Sequence, residues 1–522
     1  MTQSSSIPRL SNRLDIHDRK QLELKLEYEP SCAEGTARYL VEAFLFLPAS
    51  LNVDEETYPR ADFYAGIHNY VRFKTPVMSL QELLSEPQSP LLHLEASLAP
   101  GVGTARGEPE LVYHAKLLSC VVRGALRRFA QGVEQGCAAN AVPDASALEA
   151  RVEGARTAMA QVLERYRTWA RLAQTPVLQE KTRASLRLVD EYLSLSVEQC
   201  FRRAVADMEG LPRSGGYLAA RKGLMADVLQ EEAYRKQHGL KSVLVPGGDN
   251  EEYMHRLGFL KKFCMNILFL SARRKQKRQG VEEVLFAFAA GLAMTFATAV
   301  AFWAQARFSQ VSLNFFLIVV VGYMMKDRIK EGLRRIFSQA ARTHLYDRTM
   351  QIVDPVTQRH LGTCEERVDY GRAARVPADV QALRRRDDFA TVSQGELTET
   401  VIRYAKKIVL QAELLPRTLH GRAGVTDIIR LSVERFLRDM DEPEYALEYV
   451  DMEDFSVGHV RGAKRYQVDL VLRCTVSGPR ESGTPRVSLS LVRLVLDRNG
   501  IARLQRLTPE PPAQGEPQRS AA

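Results

Sequence analysis

The sequence predicts an α+β membrane protein. A two-helix transmembrane hairpin joins a β-rich plus helical-bundle N-terminal cytoplasmic region to a β-rich C-terminal cytoplasmic region. Three observations carry this expectation. Between Val284 and Met325 the only charged residue is Arg307. Apolar residues alternate with polar ones near both ends of the chain, the period of a half-buried strand. Between Pro109 and Leu240, Ala/Leu/Arg/Glu segments repeat at helical spacing.

Residues 1–19 are polar with no apolar run and read as a disordered N-terminus rather than a secretory signal. Residues 20–100 read as a β-rich cytoplasmic domain. Leu22, Leu24, Leu26 and Tyr28 alternate with polar neighbours, YLVEAFLFLP at 39–48 is an apolar strand ended by proline, and 62–76 carries Phe63, Tyr64, Tyr70 and Phe73.

Residues 109–280 read as a helical cytoplasmic region of about three or four helices. Breakers at Asn140–Pro143, at Thr175–Pro176 and at Gly210–Gly216 divide its long segments. After the VPGG turn at 245–248, a further helix is expected to run to the membrane. Its uncharged stretch 263–272 lies either at the interface or in the bundle core.

The transmembrane hairpin is placed at 284–325, with spans 284–304 and 308–325. Twenty-one uncharged residues at 1.5 Å rise make about 31 Å, close to the bilayer's roughly 30 Å hydrocarbon core. Eighteen more make about 27 Å. The link of Gln305, Ala306 and Arg307 is so short that the spans must be antiparallel. Both must be helical, because lipid offers backbone groups no partner. The alternative is a buried soluble hairpin, but a soluble helix shows a polar face, and 284–304 shows none.

Arg273, Arg274, Lys275, Lys277 and Arg278 precede the hairpin, and Lys326, Arg328, Lys330, Arg334 and Arg335 follow it, against Arg307 alone in the link. The positive-inside rule places both flanks, and so both termini, in the cytoplasm of a multi-pass inner-membrane protein. The same basic residues can hold anionic headgroups, or set topology only. Small residues recur along the first span at Ala289, Ala293, Ala297 and Ala301, with Gly291 beside them, and allow close helix approach. The second span is the expected partner, and homo-oligomerisation is the alternative use of that face.

Residues 326–345 continue as a juxtamembrane helix, and 346–508 read as a β-rich cytoplasmic domain. YQVDLVLRCTV at 466–476 and RVSLSLVRLVLDRNGIARLQRL at 486–507 alternate well, with Asn499-Gly500 as a hairpin turn. VIRYAKKIVL at 401–410 is ambiguous between periods. The Pro-rich tail 509–522 reads as disordered. Each β-rich part offers only a few strands, so packing them together as one unit is expected, with two independent domains as the alternative.

The net charge is +9, from 72 Lys+Arg against 63 Asp+Glu. The basic runs lack the interleaved aromatics of a nucleic-acid face, so no nucleic-acid partner is expected. The Arg- and Ala-rich composition is that of a bacterial chain. Seven scattered cysteines without a CxxC pair suit a reducing cytosol. GVGTARG at 101–107 has the wrong spacing for a dinucleotide loop, and no GxxxxGK[ST], GxSxG, HExxH or kinase set is present. His68 and His420 read as structural or surface residues, and the acidic stretch 439–454 as a solvated edge without the spacing of a calcium loop.

No catalytic residue, cofactor or metal is therefore expected. The function expected is that of a non-enzymatic scaffold, sensor or partner-binding protein anchored in the bilayer. The alternatives are a membrane-tethered enzyme on a lipid-like or envelope substrate, and an oligomeric pore or transport subunit. A pore would have only Thr295, Thr298, Ser312 and Asn314 to line it.

Overall fold

The computed structural model describes residues 8–30, 35–97, 107–138, 144–173, 178–212, 214–275, 277–308, 313–372, 376–384, 399–418, 421–453, 455–477 and 485–508. With 50% helix and 30% strand, the chain is mixed α+β. It divides into two compact units. One is Met1–Val71, Leu270–Leu415 and Thr426–Ala522, and the other is Arg72–Phe269 and Pro416–Val425.

In chain order, β1 (Arg9–Asp18), β2 (Gln21–Glu29), β3 (Thr36–Leu47), α1 (Arg60–Ala65) and β4 (Ile67–Phe73) come first. Seven helices follow: α2 (Leu80–Ser85), α3 (Pro90–Ala96), α4 (Glu108–Ala138), α5 (Ala145–Ala173), α6 (Glu180–Asp207), α7 (Gly215–Gln237) and α8 (Glu251–Met265). Then come β5 (Ser271–Lys275), α9 (Lys277–Arg307), α10 (Leu313–His344), β6 (Arg348–Val353), β7 (His360–Arg372), α11 (Ala378–Arg384) and β8 (Thr400–Gln411). The last stretch is β9 (Arg417–Thr418), β10 (Gly421–Arg422), β11 (Val425–Ser432), α12 (Glu434–Leu437), β12 (Glu444–Val450), β13 (Val457–Ala463), β14 (Tyr466–Ser477), β15 (Arg486–Asp497) and β16 (Gly500–Arg506).

The first unit is built on an eight-stranded sheet of order β16-β15-β14-β3-β8-β7-β6-β5, together with a four-stranded sheet of order β1-β2-β11-β4. Strand β3, from the N-terminal part, lies between β14 and β8 in antiparallel register, Phe44 opposite both Val471 and Arg403. The β-rich stretches drawn at 20–100 and 346–508 thus share one sheet. The reason is visible in β3, whose Ala43 to Leu47 are buried whether they point to one face or the other. Ala43, Leu45, Leu470 and Leu472 meet Leu14, Leu22, Leu24, Ile429 and Leu431 of the smaller sheet. On the opposite face, Phe44, Phe46, Val401, Val471 and Leu491 pack with Val376 and with Val380 of α11.

The second unit is a helical bundle. Leu118, Val121, Val162, Tyr166, Val189, Leu193 and Leu224 fill its core with no exposure. Its helix boundaries fall at the proline and glycine breakers. Between the helices lie charges that the periodicity hides. Arg235 is fully buried and donates to Ser242 O at 2.9 Å, to Ser194 Oγ at 2.7 Å and to Glu198. Arg167 of α5 bridges Asp190 of α6 at 3.0 Å and Glu231 of α7 at 2.7 Å.

Several expectations are corrected. Within the N-terminus read as disordered, Arg9–Asp18 form an edge strand, with Leu14 its one buried residue and Arg13 opposite Lys25. Cross-strand bonds, not burial, hold it. Inside the stretch read as β-rich, 80–96 is helical. Ser79 Oγ accepts from Glu82 N at 3.1 Å while Ser79 N donates to the Glu82 carboxylate at 2.6 Å, a capping box. The helix expected to run from 251 into the membrane stops at Met265, and 271–275 is a strand paired with β6. The tail 509–522, GVGT at 101–104, Cys32 and His420 lie outside the described residues.

Candidate functional site

The most unusual surface is the helical hairpin of α9 and α10. Gly322 of α10 sits so close to α9 that an added Cβ would come 3.0 Å from Val300 Cγ1. The Arg334 guanidinium lies 4.6 Å from the Phe286 ring centre, and the Phe288 and Phe337 ring centres are 6.3 Å apart. As position rises along α9 it falls along α10, so the helices are antiparallel. Ala289, Ala293 and Ala304 are buried, while Ala297 and Ala301 are half-buried. Gly291 lies off the contacting face, exposed, and a Cβ there would meet open space.

The remaining circumference of α9 is apolar and uncovered. Val284, Phe288, Leu292, Met294, Phe302 and Trp303 are exposed, as are Phe316, Leu317, Val321 and Met324 of α10. Among the described residues, one helix, Glu283–Arg307, is long and apolar enough to cross a membrane, and only 11% of its apolar window is buried. A soluble core helix of that composition would be mostly buried. The described apolar part of α10 runs from Leu313 to Met325, only about 20 Å before Lys326. Ser312 and the other residues of 309–312 lie outside the described residues.

The basic residues singled out in the sequence are spread over three elements. Arg273 and Arg274 are exposed on β5, the last strand of its sheet, and Arg273 donates to Gln358 Oε1 at 2.7 Å. Lys275 ends β5, and Lys277 and Arg278 open α9. The Lys326 ammonium lies 3.7 Å from the Tyr323 ring centre, and Arg328 and Lys330 are exposed.

Ala289→Leu with Ala293→Leu places two large side chains in a closed helix contact, and overpacking costs roughly 1–3 kcal/mol each. Thermal unfolding in detergent should fall by several degrees. Gly291→Leu, pointing into open space, should leave it unchanged.

A second concentration of polarity was hidden from the sequence. It lies in the first unit, between the two sheets. Lys406 of β8 is fully buried, with its Nζ 2.6 Å from Asp427 Oδ2 and 3.4 Å from Glu366 Oε1. Glu366 stands directly opposite Lys406 on β7, whereas Asp427 comes from β11 of the smaller sheet. Tyr404 OH donates to Glu366 Oε1 at 2.9 Å, Asn69 Nδ2 to the same oxygen at 2.6 Å, and Tyr28 OH to Asp427 Oδ2 at 3.4 Å. Among the described residues, Asp427 Oδ1 and Glu366 Oε2 are buried without a hydrogen-bond partner.

Burial works to lower the Lys406 pKa, but Asp427 and Glu366 outweigh it and hold the ammonium well above its ordinary range. Burial pushes the Asp427 carboxyl up, which the Lys406 charge opposes without cancelling. In this low-dielectric interior the Asp427 carboxyl is held toward its neutral form. Lys406, Glu366 and Asp427 have no solvent-exposed side-chain surface. The adjacent gap is an apolar cavity of about 30 Å³ lined by Leu24, Leu45, Tyr404 and Leu472, on the order of one water molecule. The cluster therefore fixes one sheet against the other and offers no place for a substrate.

Among the described residues, no three His, Cys, Asp or Glu side chains are grouped to hold a metal ion. Burial raises the Cys120 and Cys264 thiols to about 12 and Cys474 to about 11, which makes them unreactive. Comparison with family models, with curated proteins and with solved structures finds no match to this chain.

Proposed function

We propose that the chain is an integral membrane protein whose α9–α10 hairpin spans the bilayer twice and anchors an α+β assembly on the cytoplasmic side, where it serves as a scaffold, sensor or partner-binding platform. The observation that carries this reading is the uncovered apolar circumference of Glu283–Arg307. Apolar surface of that extent is covered rather than left in water, and lipid is the covering its length fits. The charge asymmetry supports the orientation. Arg334 packs against Phe286 at one end of the hairpin, the end where the basic flanks meet, and Arg307 stands alone at the other.

A pore is less well supported. Thr295 and Thr298 donate to Gly291 O at 3.0 Å and to Met294 O at 2.9 Å within their own helix, so their hydroxyls require no water-filled lumen. An enzymatic reading has less to rest on: among the described residues, the open pocket lined by Lys20, Glu434, Arg435, Arg438 and Arg498 is a surface in which Lys20 and Glu434 pair with each other at 2.8 Å.

The test is topology. Reporters fused after Arg278 and after Arg335 are expected to read cytoplasmic, and one inserted near Arg307 external. Cytoplasmic signals from all three would mean that the hairpin does not cross.

A further inference from the structure

Strands β12 and β13 form a separate two-stranded ribbon, paired among the described residues only with each other, from Glu444 opposite Ala463 to Val450 opposite Val457. Its base is closed by Lys464 N donating to Pro443 O at 2.9 Å, and its tip by Asp451 N donating to Ser456 O at 2.9 Å. Every residue of β12 is exposed. Strand alternation sorts them into two faces. Glu444, Ala446 and Glu448 share one with Arg461 and His459, and Glu444 pairs with Arg461 at 3.3 Å.

Tyr445, Leu447 and Tyr449 share the other, opposite Gly462, Val460 and Gly458. The two glycines matter. A Cβ at Gly458 would come 2.6 Å from Tyr449 Cζ, and one at Gly462 2.6 Å from Leu447 Cδ1. Their absence lets the large side chains lie flat across the neighbouring strand and make a smooth apolar face. At the tip, Met452 and Phe455 are 80% and 77% exposed. An isolated two-stranded ribbon is marginal in water, and this one has two open edges and an apolar face.

Charge selects what covers it. Residues 439–465 hold eight acidic and three basic side chains, a net of −5, so the rest of a chain of +9 carries +14. The tip is the most acidic part, since Asp451, Glu453 and Asp454 have no basic neighbour between 450 and 460. Insertion into a bilayer would bury those carboxylates against anionic headgroups, and ribbon against ribbon would set acid against acid. A second copy of this chain offers the opposite sign.

We infer that the β12–β13 ribbon is a docking arm that lies on the basic body of a second copy, each copy giving its arm to the other in a two-fold dimer. The inference stands apart from the anchoring proposal, since a soluble chain could dimerise in the same way.

The test uses the full chain in detergent, with its mass read by light scattering across a dilution series at low and moderate salt. A dimer that weakens as salt rises is expected. Two arm variants change only exposed side chains: Tyr445→Ser/Leu447→Ser/Tyr449→Ser, and Glu448→Lys/Glu453→Lys. Each should weaken self-association by at least about tenfold, with unchanged thermal unfolding. A monomeric wild type overturns the inference. So does a dimer that both variants leave intact, because assembly would then run through another surface.

Discussion

Lys406→Met is expected to destabilise the β-sheet unit by about 3–5 kcal/mol, because it leaves Glu366 and Asp427 buried with no cation. Removing the charge alone spares packing, since Met follows the course of the lysine stem. Adding Glu366→Gln and Asp427→Asn should restore much of the loss. Tyr404 OH and Asn69 Nδ2 then still find a carbonyl acceptor, and no net charge remains inside. Denaturant unfolding of the single and triple variants measures the difference.

Lys406 has a raised pKa, so its contribution is fully present below about pH 10.5 and is lost only as the pH climbs through its higher folded value. Asp427 is also raised, so acidification through its folded pKa relieves this carboxyl rather than weakening the fold. Lys406→Met removes the charge that opposes this rise, so in the variant the Asp427 carboxyl ionises at still higher pH and the gap to wild type should widen as the pH rises. A single variant as stable as wild type would show that the cluster contributes nothing.

What was legible in the sequence divides along a physical line. Long periodic helices were plain, and α4, α5 and α6 end within a few residues of the breakers at Asn140–Pro143, Thr175–Pro176 and Gly210–Gly216, where proline lacks the N–H a helix needs and glycine adds an entropic cost. Half-buried strands such as Gln21–Glu29, with strict alternation, were equally plain. Edge elements were not, because their sequences bury little. Arg9–Asp18 buries only Leu14, and Ser271–Lys275 reads as a basic run. The stretch 439–454 reads as a solvated acidic edge because its eight acids outweigh the alternation of Tyr445, Leu447 and Tyr449 within it.

The buried charges were least legible. Lys406 sits in AKKIV, where neither lysine is marked by its neighbours as the interior one. Its partners Glu366 and Asp427 come from two other strands, one of them in another sheet. The signal that existed is the period itself. If Ile402, Tyr404 and Ile408 point inward, so must Lys406, whereas Lys407 faces out to Glu365 at 3.2 Å. An inward lysine requires a buried partner, which alternation can suggest and only three-dimensional pairing can supply.

The α9 surface yields the sharpest test of where the protein resides. Leu292→Arg with Phe296→Arg places two guanidinium groups on the outward side of the helix, near the middle of 284–304, without touching the Ala289–Ala293 contact. If that side faces lipid, each charge costs roughly 2.5–3.5 kcal/mol at the centre of a span, and the pair about 5–7 kcal/mol. Loss of that size abolishes stable insertion, and the variant should be released by alkaline washing of membranes that retain the wild type. If the side faced water, exchanging an exposed apolar residue for arginine would fall within about 0.5 kcal/mol and would, if anything, raise solubility. Ile336→Arg is the matched control. Ile336 is also exposed, but it lies on α10 beyond Lys326, among Arg334 and Arg335, where a further charge should leave insertion unchanged. A double variant that stays in washed membranes as firmly as the wild type would show that this face of α9 meets neither lipid nor a partner in the bilayer core.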